Sequence, residues 1–143
     1  MRTIQAHLIL PPDTNHHGTI FGGKVLAYID EVAAITSMKY SGGNTVTVSI
    51  DSVDFLSPAR VGDILELEGT VVYTGKTSLT VFVRVTAFQV ETGESTLTTE
   101  SFVTMVAVDE GGKPREVPQI VIETEEQRLL YEQVKLRREL KGK

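Results

Sequence analysis

The sequence predicts a two-layer α+β domain, one long helix lying on an antiparallel five-stranded sheet. Two features carry the prediction. Residues 24–40 run without Gly or Pro and are rich in alanine, while residues 44–108 fall into long alternating segments parted by short glycine-bearing turns. A strand ahead of the helix completes the five, and a capped tail adds a terminal helix.

Taken in order, residues 3–10 alternate, with Ile4, Ala6, Leu8 and Leu10 on one side of a first strand. Pro11-Pro12-Asp13-Thr14-Asn15 breaks it and opens a loop that runs to Gly22-Gly23. In the helix, Val25, Ile29, Val32 and Thr36 share a stripe that Leu26 and Ala33 widen, and Gly42-Gly43 supply the stop. In residues 44–56, Val46, Val48 and Ile50 are in phase but Val53 and Phe55 take the opposite phase, the mark of a β-bulge.

After the turn at residues 57–63, Leu65, Leu67, Val71 and Tyr73 define the face of the next strand. Gly75-Lys76 leads into the clearest alternation, Leu79, Val81, Val83, Val85 and Ala87, and residues 91–94 turn into the last strand at 96–108. Short turns between long strands describe a meander. Thr124-Glu125-Glu126-Gln127 has the form of a capping box at the head of a helix over residues 123–140. Leu129, Leu130, Val134 and Leu140 are too few for a core helix, so it reads as a satellite on a sheet edge or a neighbouring subunit. The organisation is thus one domain, residues 1–122, with a helical extension at 123–143. One helix covers only part of such a sheet, and a second copy is the economical cover for the rest.

Composition excludes several classes. The chain has no cysteine, which removes thiol nucleophiles and thiolate metal sites. A net charge of −5 argues against general nucleic-acid binding. No apolar run reaches the length of a membrane span, and the first residues lack the apolar core of a signal peptide, so an intracellular, cytoplasmic protein is expected.

The chemistry concentrates in residues 15–30. Gly18, Gly22 and Gly23 crowd the entry to the helix. They fit turn geometry, and equally a helix N-terminus whose bare N–H groups hold a carbonyl oxygen as it becomes negative. The Gly-Lys-Ser/Thr ending of a phosphate loop is absent. Asp30 and Glu31 each have small apolar neighbours at contact spacing, so periodicity does not choose between them as a general base. His16-His17 reads as a loop pair without ligand-spaced partners, no metal being expected. Asn15 fits a turn cap. No Gly-x-Ser-x-Gly elbow is present.

The ordered set Asn15-His16-His17-Gly18-Thr19-Ile20-Phe21-Gly22-Gly23, Leu26 and Ile29-Asp30 resembles the signature of the hotdog acyl-CoA hydrolases, both bacterial short- and medium-chain and tandem-domain cytosolic types. The likeness continues through Asp54-Phe55, Pro58, Val61-Gly62-Asp63, Gly75-Lys76-Thr77-Ser78, Val106-Ala107-Val108-Asp109 and Gly112-Lys113-Pro114, covering about residues 5–118. The resemblance implies a hotdog fold, a long central helix wrapped by the sheet, and hydrolysis of acyl-CoA to a carboxylic acid and coenzyme A. It implies Asn15 and Asp30 as a catalytic pair drawn from different subunits of a dimer, and Gly22-Gly23 leading to the amides that hold the thioester carbonyl. The acid activates water or attacks directly through an anhydride. Coenzyme A, carried as part of the substrate and not as a separate cofactor, lies along the dimer groove. Its candidates are Arg60, Lys76, Thr77, Ser78, Arg84, Lys113 and Arg115. The implied assembly is a dimer built into a trimer of dimers. Two rivals are a non-catalytic acyl-CoA-binding module of the same fold, which usually carries a DNA-binding domain, and a hotdog enoyl-CoA hydratase. The hydratase motif needs an acid and a histidine, and no histidine follows His17.

Overall fold

The computed structural model describes residues 2–141. Its elements are β1 (Arg2–Leu8), a 3-10 turn (Pro11–Asp13), α1 (Gly22–Ser41), β2 (Thr45–Phe55), β3 (Ile64–Thr74), β4 (Ser78–Gln89), β5 (Glu94–Ala107) and α2 (Glu125–Lys141). No described helix is long and apolar enough to cross a membrane.

The expected stripe builds the core. Val25, Ile29, Val32 and Ala33 of α1 are buried against Leu65, Leu67, Val81, Val83 and Val103 of the sheet. The sheet curls far enough that α1 contacts all five strands. Helix and sheet approach closely at Gly69, where a Cβ would meet Val32 Cγ1 and Thr36 Oγ1 at 2.7 Å. Gly69→Ala must push α1 off β3 and is expected to cost about 1–3 kcal/mol, read as a lower denaturant midpoint; an unchanged midpoint would refute the close approach.

Gly42 ends α1 in the left-handed conformation at φ 76°, as the Gly-Gly stop predicts. Arg115 secures that end. Its guanidinium donates to the backbone carbonyls of Ser41, Asn44 and Val108 and to Ser41 Oγ, at 3.0–3.2 Å.

The strand order is β1-β3-β4-β5-β2, all antiparallel. Only β3-β4-β5 form the expected meander; β2 pairs with β5 and makes the far edge, so the connection after β2 crosses the sheet. The phase shift in β2 appears as a register break between Asp51 and Asp54, with Ser52 at φ 55°. A second break between Thr47 and Ser49 was not apparent in the pattern and separates Val46 and Val48 from Ile50: both valines are exposed, whereas Ile50 packs on the core. A further break between Val71 and Tyr73 removes Tyr73 from the face of Leu65 and Leu67.

β1 holds the least expected orientation. Its apolar side chains Ile4 and Leu8 are exposed, as is Leu10 beyond its end, while Thr3, Gln5 and His7 turn inward. His7 stacks on Tyr28 of α1, ring centroids 4.0 Å apart.

The capping box of α2 is present: Thr124 Oγ1 accepts from Gln127 N–H at 3.1 Å, and Gln127 Oε1 accepts from Thr124 N–H at 3.0 Å. The helix lies on the outer face of the sheet, not along an edge. Leu130 and Val134 pack on Val72, Tyr73, Phe82 and Phe102, whereas Leu129 and Leu140, expected to share that contact, are exposed.

Candidate active site

The loop before α1 is laced to its surroundings by backbone hydrogen bonds. Asn15 N–H donates to Thr19 O, Ile20 N–H to Ala59 O, and Phe21 N–H to Asp13 O. Lys24 adds an ion pair to Asp13 at 3.6 Å. Asn15 caps the turn as its residue type suggests: Oδ1 accepts from His17 N–H at 2.8 Å, and Nδ2 donates to Thr19 Oγ1 at 3.0 Å. An amide nitrogen has two N–H donors, so one remains for another acceptor. The His16 and His17 rings lie against each other at a tilt of 42°, centroids 3.8 Å apart. No group of three or more His, Cys, Asp or Glu that could hold a metal occurs among the described residues.

Helix α1 starts without a side-chain cap, because its N-cap position is Phe21. The first intrahelical donors are Lys24 and Val25, both to Phe21 O, and Gly22 and Gly23 are exposed. Two glycine N–H groups at the positive end of a twenty-residue helix therefore face outward with no Cβ in front of them. Beside them lies a cavity of about 330 Å³, with Ile20, Val25, Phe55, Leu56 and Ala59 among its apolar walls.

Geometry separates the two acids that periodicity left equal. Asp30 is half-buried, and its Oδ1 accepts a 2.7 Å hydrogen bond from Thr47 Oγ1 of β2. Glu31 is exposed and meets Gln5 Nε2 at 3.5 Å. Thr47 escaped the sequence reading, since a strand threonine has no signature of its own; only the bulge that follows it shows why it faces α1. Within one subunit Asn15 and Asp30 make no hydrogen bond to each other among the described residues. Gly22 and Asp30 stand eight positions apart on one helix, about 12 Å.

The seven coenzyme A candidates fall into three places. The β3–β4 turn, with Lys76, Thr77 and Ser78, meets the segment carrying Lys113 and Arg115 through Ala107 N–H to Thr77 O and Val117 N–H to Lys76 O. Lys76 pairs loosely with Glu116 at 3.7 Å, and the Arg115 guanidinium is occupied at the end of α1. Arg60 lies at the other end of the sheet, near the β4–β5 turn. Arg84 is on the outer face, paired with Glu100 at 3.1 Å.

A helix cradled by a curled antiparallel sheet defines a hotdog-fold protein, and its uncapped glycine N-terminus with a threonine-held carboxylate two turns along are groups that acyl transfer can use. A family profile described as the thioesterase superfamily matches residues 17–94. The chain belongs to that superfamily. An acyl-CoA thioester hydrolase of Bacillus subtilis, itself described as uncharacterised, is 44% identical over 130 residues, covering 91% of this chain and 76% of that protein. A crystal structure of an apo-hexameric acyl-CoA thioesterase superposes with a TM-score of 0.95 at 64% identity, over 99% of this chain and 90% of that one. The acyl-CoA hydrolase of Staphylococcus aureus, solved with butyryl coenzyme A and coenzyme A, gives a TM-score of 0.91 at 40% identity, over 99% and 86%. Structures of its single alanine variants replace an asparagine, an aspartate and a threonine that follow one another at intervals of 15 and 17 residues. Asn15, Asp30 and Thr47 follow one another at the same intervals.

Proposed function

We propose that the chain hydrolyses acyl-CoA thioesters to a free carboxylic acid and coenzyme A, with Asn15, Asp30 and Thr47 as its site, and that residues 1–122 are the thioesterase unit to which 123–143 is appended. The observation that carries the reading is the pairing of a bare helix N-terminus with the carboxylate that Thr47 holds. The Gly22 and Gly23 N–H groups take the thioester oxygen as it becomes an oxyanion. Asp30 removes a proton from water while the water oxygen bonds to the carbonyl carbon. Collapse breaks the carbon–sulfur bond, and the proton on Asp30 passes to the departing thiolate. The free N–H of Asn15 holds the water or the carbonyl. Thr47 fixes which carboxylate oxygen faces the reaction.

About 12 Å between Gly22 and Asp30 is too far for one carbonyl group and one water. Two copies close the gap. β2 is an open edge with exposed Val46 and Val48, a strand placed to pair with its own copy about a two-fold axis. Antiparallel pairing sets the Phe55 end of one β2 beside the Thr45 end of the other. Gly22 lies against Phe55, and Asp30 against Thr47. The same pairing therefore carries the amides of one subunit toward the acid of its partner. Three such dimers would make a hexamer, the assembly that the apo-hexameric acyl-CoA thioesterase has.

Lys76 and Lys113 sit at the end of the sheet where α1 finishes, on the Asp30 side of the molecule, and we assign the coenzyme A phosphates to them. The protein as a whole is acidic, so a local cationic patch has to overcome net repulsion. Thiol release from acyl-CoA of graded chain length tests the whole reading. Lys76→Gln and Lys113→Gln are expected to raise KM about threefold to tenfold with kcat little changed, and added salt to raise the wild-type KM. Coenzyme A binding without thiol release at any chain length would make the chain a sensor; a salt-independent KM would move the phosphates elsewhere.

A further inference from the structure

Between α2 and the outer face of the sheet lies a cavity of about 470 Å³, within the range of small-ligand pockets, about 300–1,000 Å³. Val48, Phe102 and Val134 give it apolar walls, while Arg137, Arg138 and Lys141 stand at its rim. Asp51 is the one carboxylate in its lining, and Lys141 takes it at 2.9 Å. The two arginines keep their charge unmatched: among the described residues neither has a carboxylate in ion-pair range. Arg137 lies over the Phe102 ring at 4.4 Å and gives one N–H to Ser52 Oγ; Arg138 lies over Tyr73 at 5.1 Å. Packing on rings fixes both guanidinium planes and leaves most of their donor edges free. Thr80, only 1% exposed, is part of the cavity floor, and its buried hydroxyl has no hydrogen-bond partner among the described residues.

Apolar walls and two uncompensated cations call for an amphiphile with an anionic head. We propose that this cavity binds a fatty-acid carboxylate, its head on Arg137 and Arg138 and its chain along Val48, Phe102 and Val134. An aliphatic chain suits the walls better than a nucleobase does. The Phe102 ring already carries Arg137 and packs against Phe82 at 5.0 Å, so a base finds no free ring to stack on. The site is separate from the reaction centre. Thr47 and Val48 are successive residues of β2 on opposite faces of the sheet, Thr47 bonding Asp30 and Val48 lining the cavity. If the thioesterase reading holds, the occupant is of the product class, and it sits one strand's thickness behind the residue that orients the acid.

Decanoate and adenosine 3′,5′-bisphosphate are titrated calorimetrically into the full chain, with coenzyme A present in parallel runs to occupy the reaction centre. Decanoate is expected to bind in both conditions, and Arg138→Gln and Val134→Trp to weaken it about tenfold or more. Neither residue belongs to the catalytic set, so thiol release without added fatty acid should stay native. Decanoate binding that coenzyme A abolishes, or that survives both substitutions, would overturn the site; adenosine bisphosphate binding that depends on Arg138, without decanoate, would overturn the occupant. A chain that binds decanoate in this way yet releases no thiol would refute the thioesterase reading and leave this one standing.

Discussion

Asp30→Ala and Asp30→Asn are expected to lose about 10²- to 10⁴-fold in kcat, the range that general-base removal covers, while Glu31→Gln stays near native. The contrast follows from what each acid touches. Asp30 accepts a short hydrogen bond that locks its orientation, and Glu31 is an exposed group opposite a glutamine. Thr47→Val keeps the shape of the strand but frees the carboxylate to rotate, so a loss of about tenfold is expected there, in kcat and not in KM. Because Asp30 and Thr47 lie toward the surface of the subunit, none of these changes should lower thermal stability by more than about 1 kcal/mol. Near-native turnover in Asp30→Ala, with loss in Glu31→Gln, would reverse the assignment. Single-turnover hydrolysis in ¹⁸O-water tests the anhydride route: label recovered in Asp30 shows an anhydride opened by water at the Asp30 carbonyl, whereas activation of water by Asp30 places label only in the product acid.

The parts of the fold legible in the sequence are those in which one local pattern decides one contact. The α1 stripe, the Gly42 stop and the Thr124–Gln127 box each specify their own structure within a few residues. Strand faces were harder. A bulge reverses the apolar phase, and two of them within eleven residues leave a pattern in β2 that reads as one. On β1 the apolar alternation points away from the core, because pairing with β3 sets Gln5 and His7 beside the inward-facing Leu67 and Leu65. Such a choice lies in the pairing partner and leaves no mark in the strand itself. Sheet order is likewise a non-local fact, so nothing in β2 announced that it would pair with β5.

The site was legible to the same degree. Residues 15–30 stand out through their glycines and their likeness to a family signature, yet spacing could not choose between Asp30 and Glu31. That choice rests on Thr47, which is 17 residues away in sequence and 2.7 Å away in space. Among the basic residues, composition offers a list but no geometry. Arg115 shows the difference, since its charge goes to the end of α1 and its donors are spent on backbone carbonyls.

A mixture of two inactive proteins should regain activity. Asn15→Ala and Asp30→Ala each lack one half of a site that, on the proposed dimer, takes Asn15 and the glycine amides from one subunit and Asp30 with Thr47 from the other. After dissociation and random reassembly of equal amounts, about half of the dimers contain one copy of each variant. In such a dimer one site carries both substitutions and the other carries neither. About a quarter of all sites are then intact, and thiol release should return to about a quarter of the wild-type rate, far above parents reduced 10²-fold or more. Assembly of the dimers into hexamers does not alter that fraction, because each site is completed within a dimer. A site contained in one subunit gives no recovery at any mixing ratio. Subunit exchange is verified independently, by mass spectrometry of isotope-labelled copies, so that a flat result has one meaning: with exchange proven and no activity regained, Asn15 and Asp30 do not meet across the β2 edge.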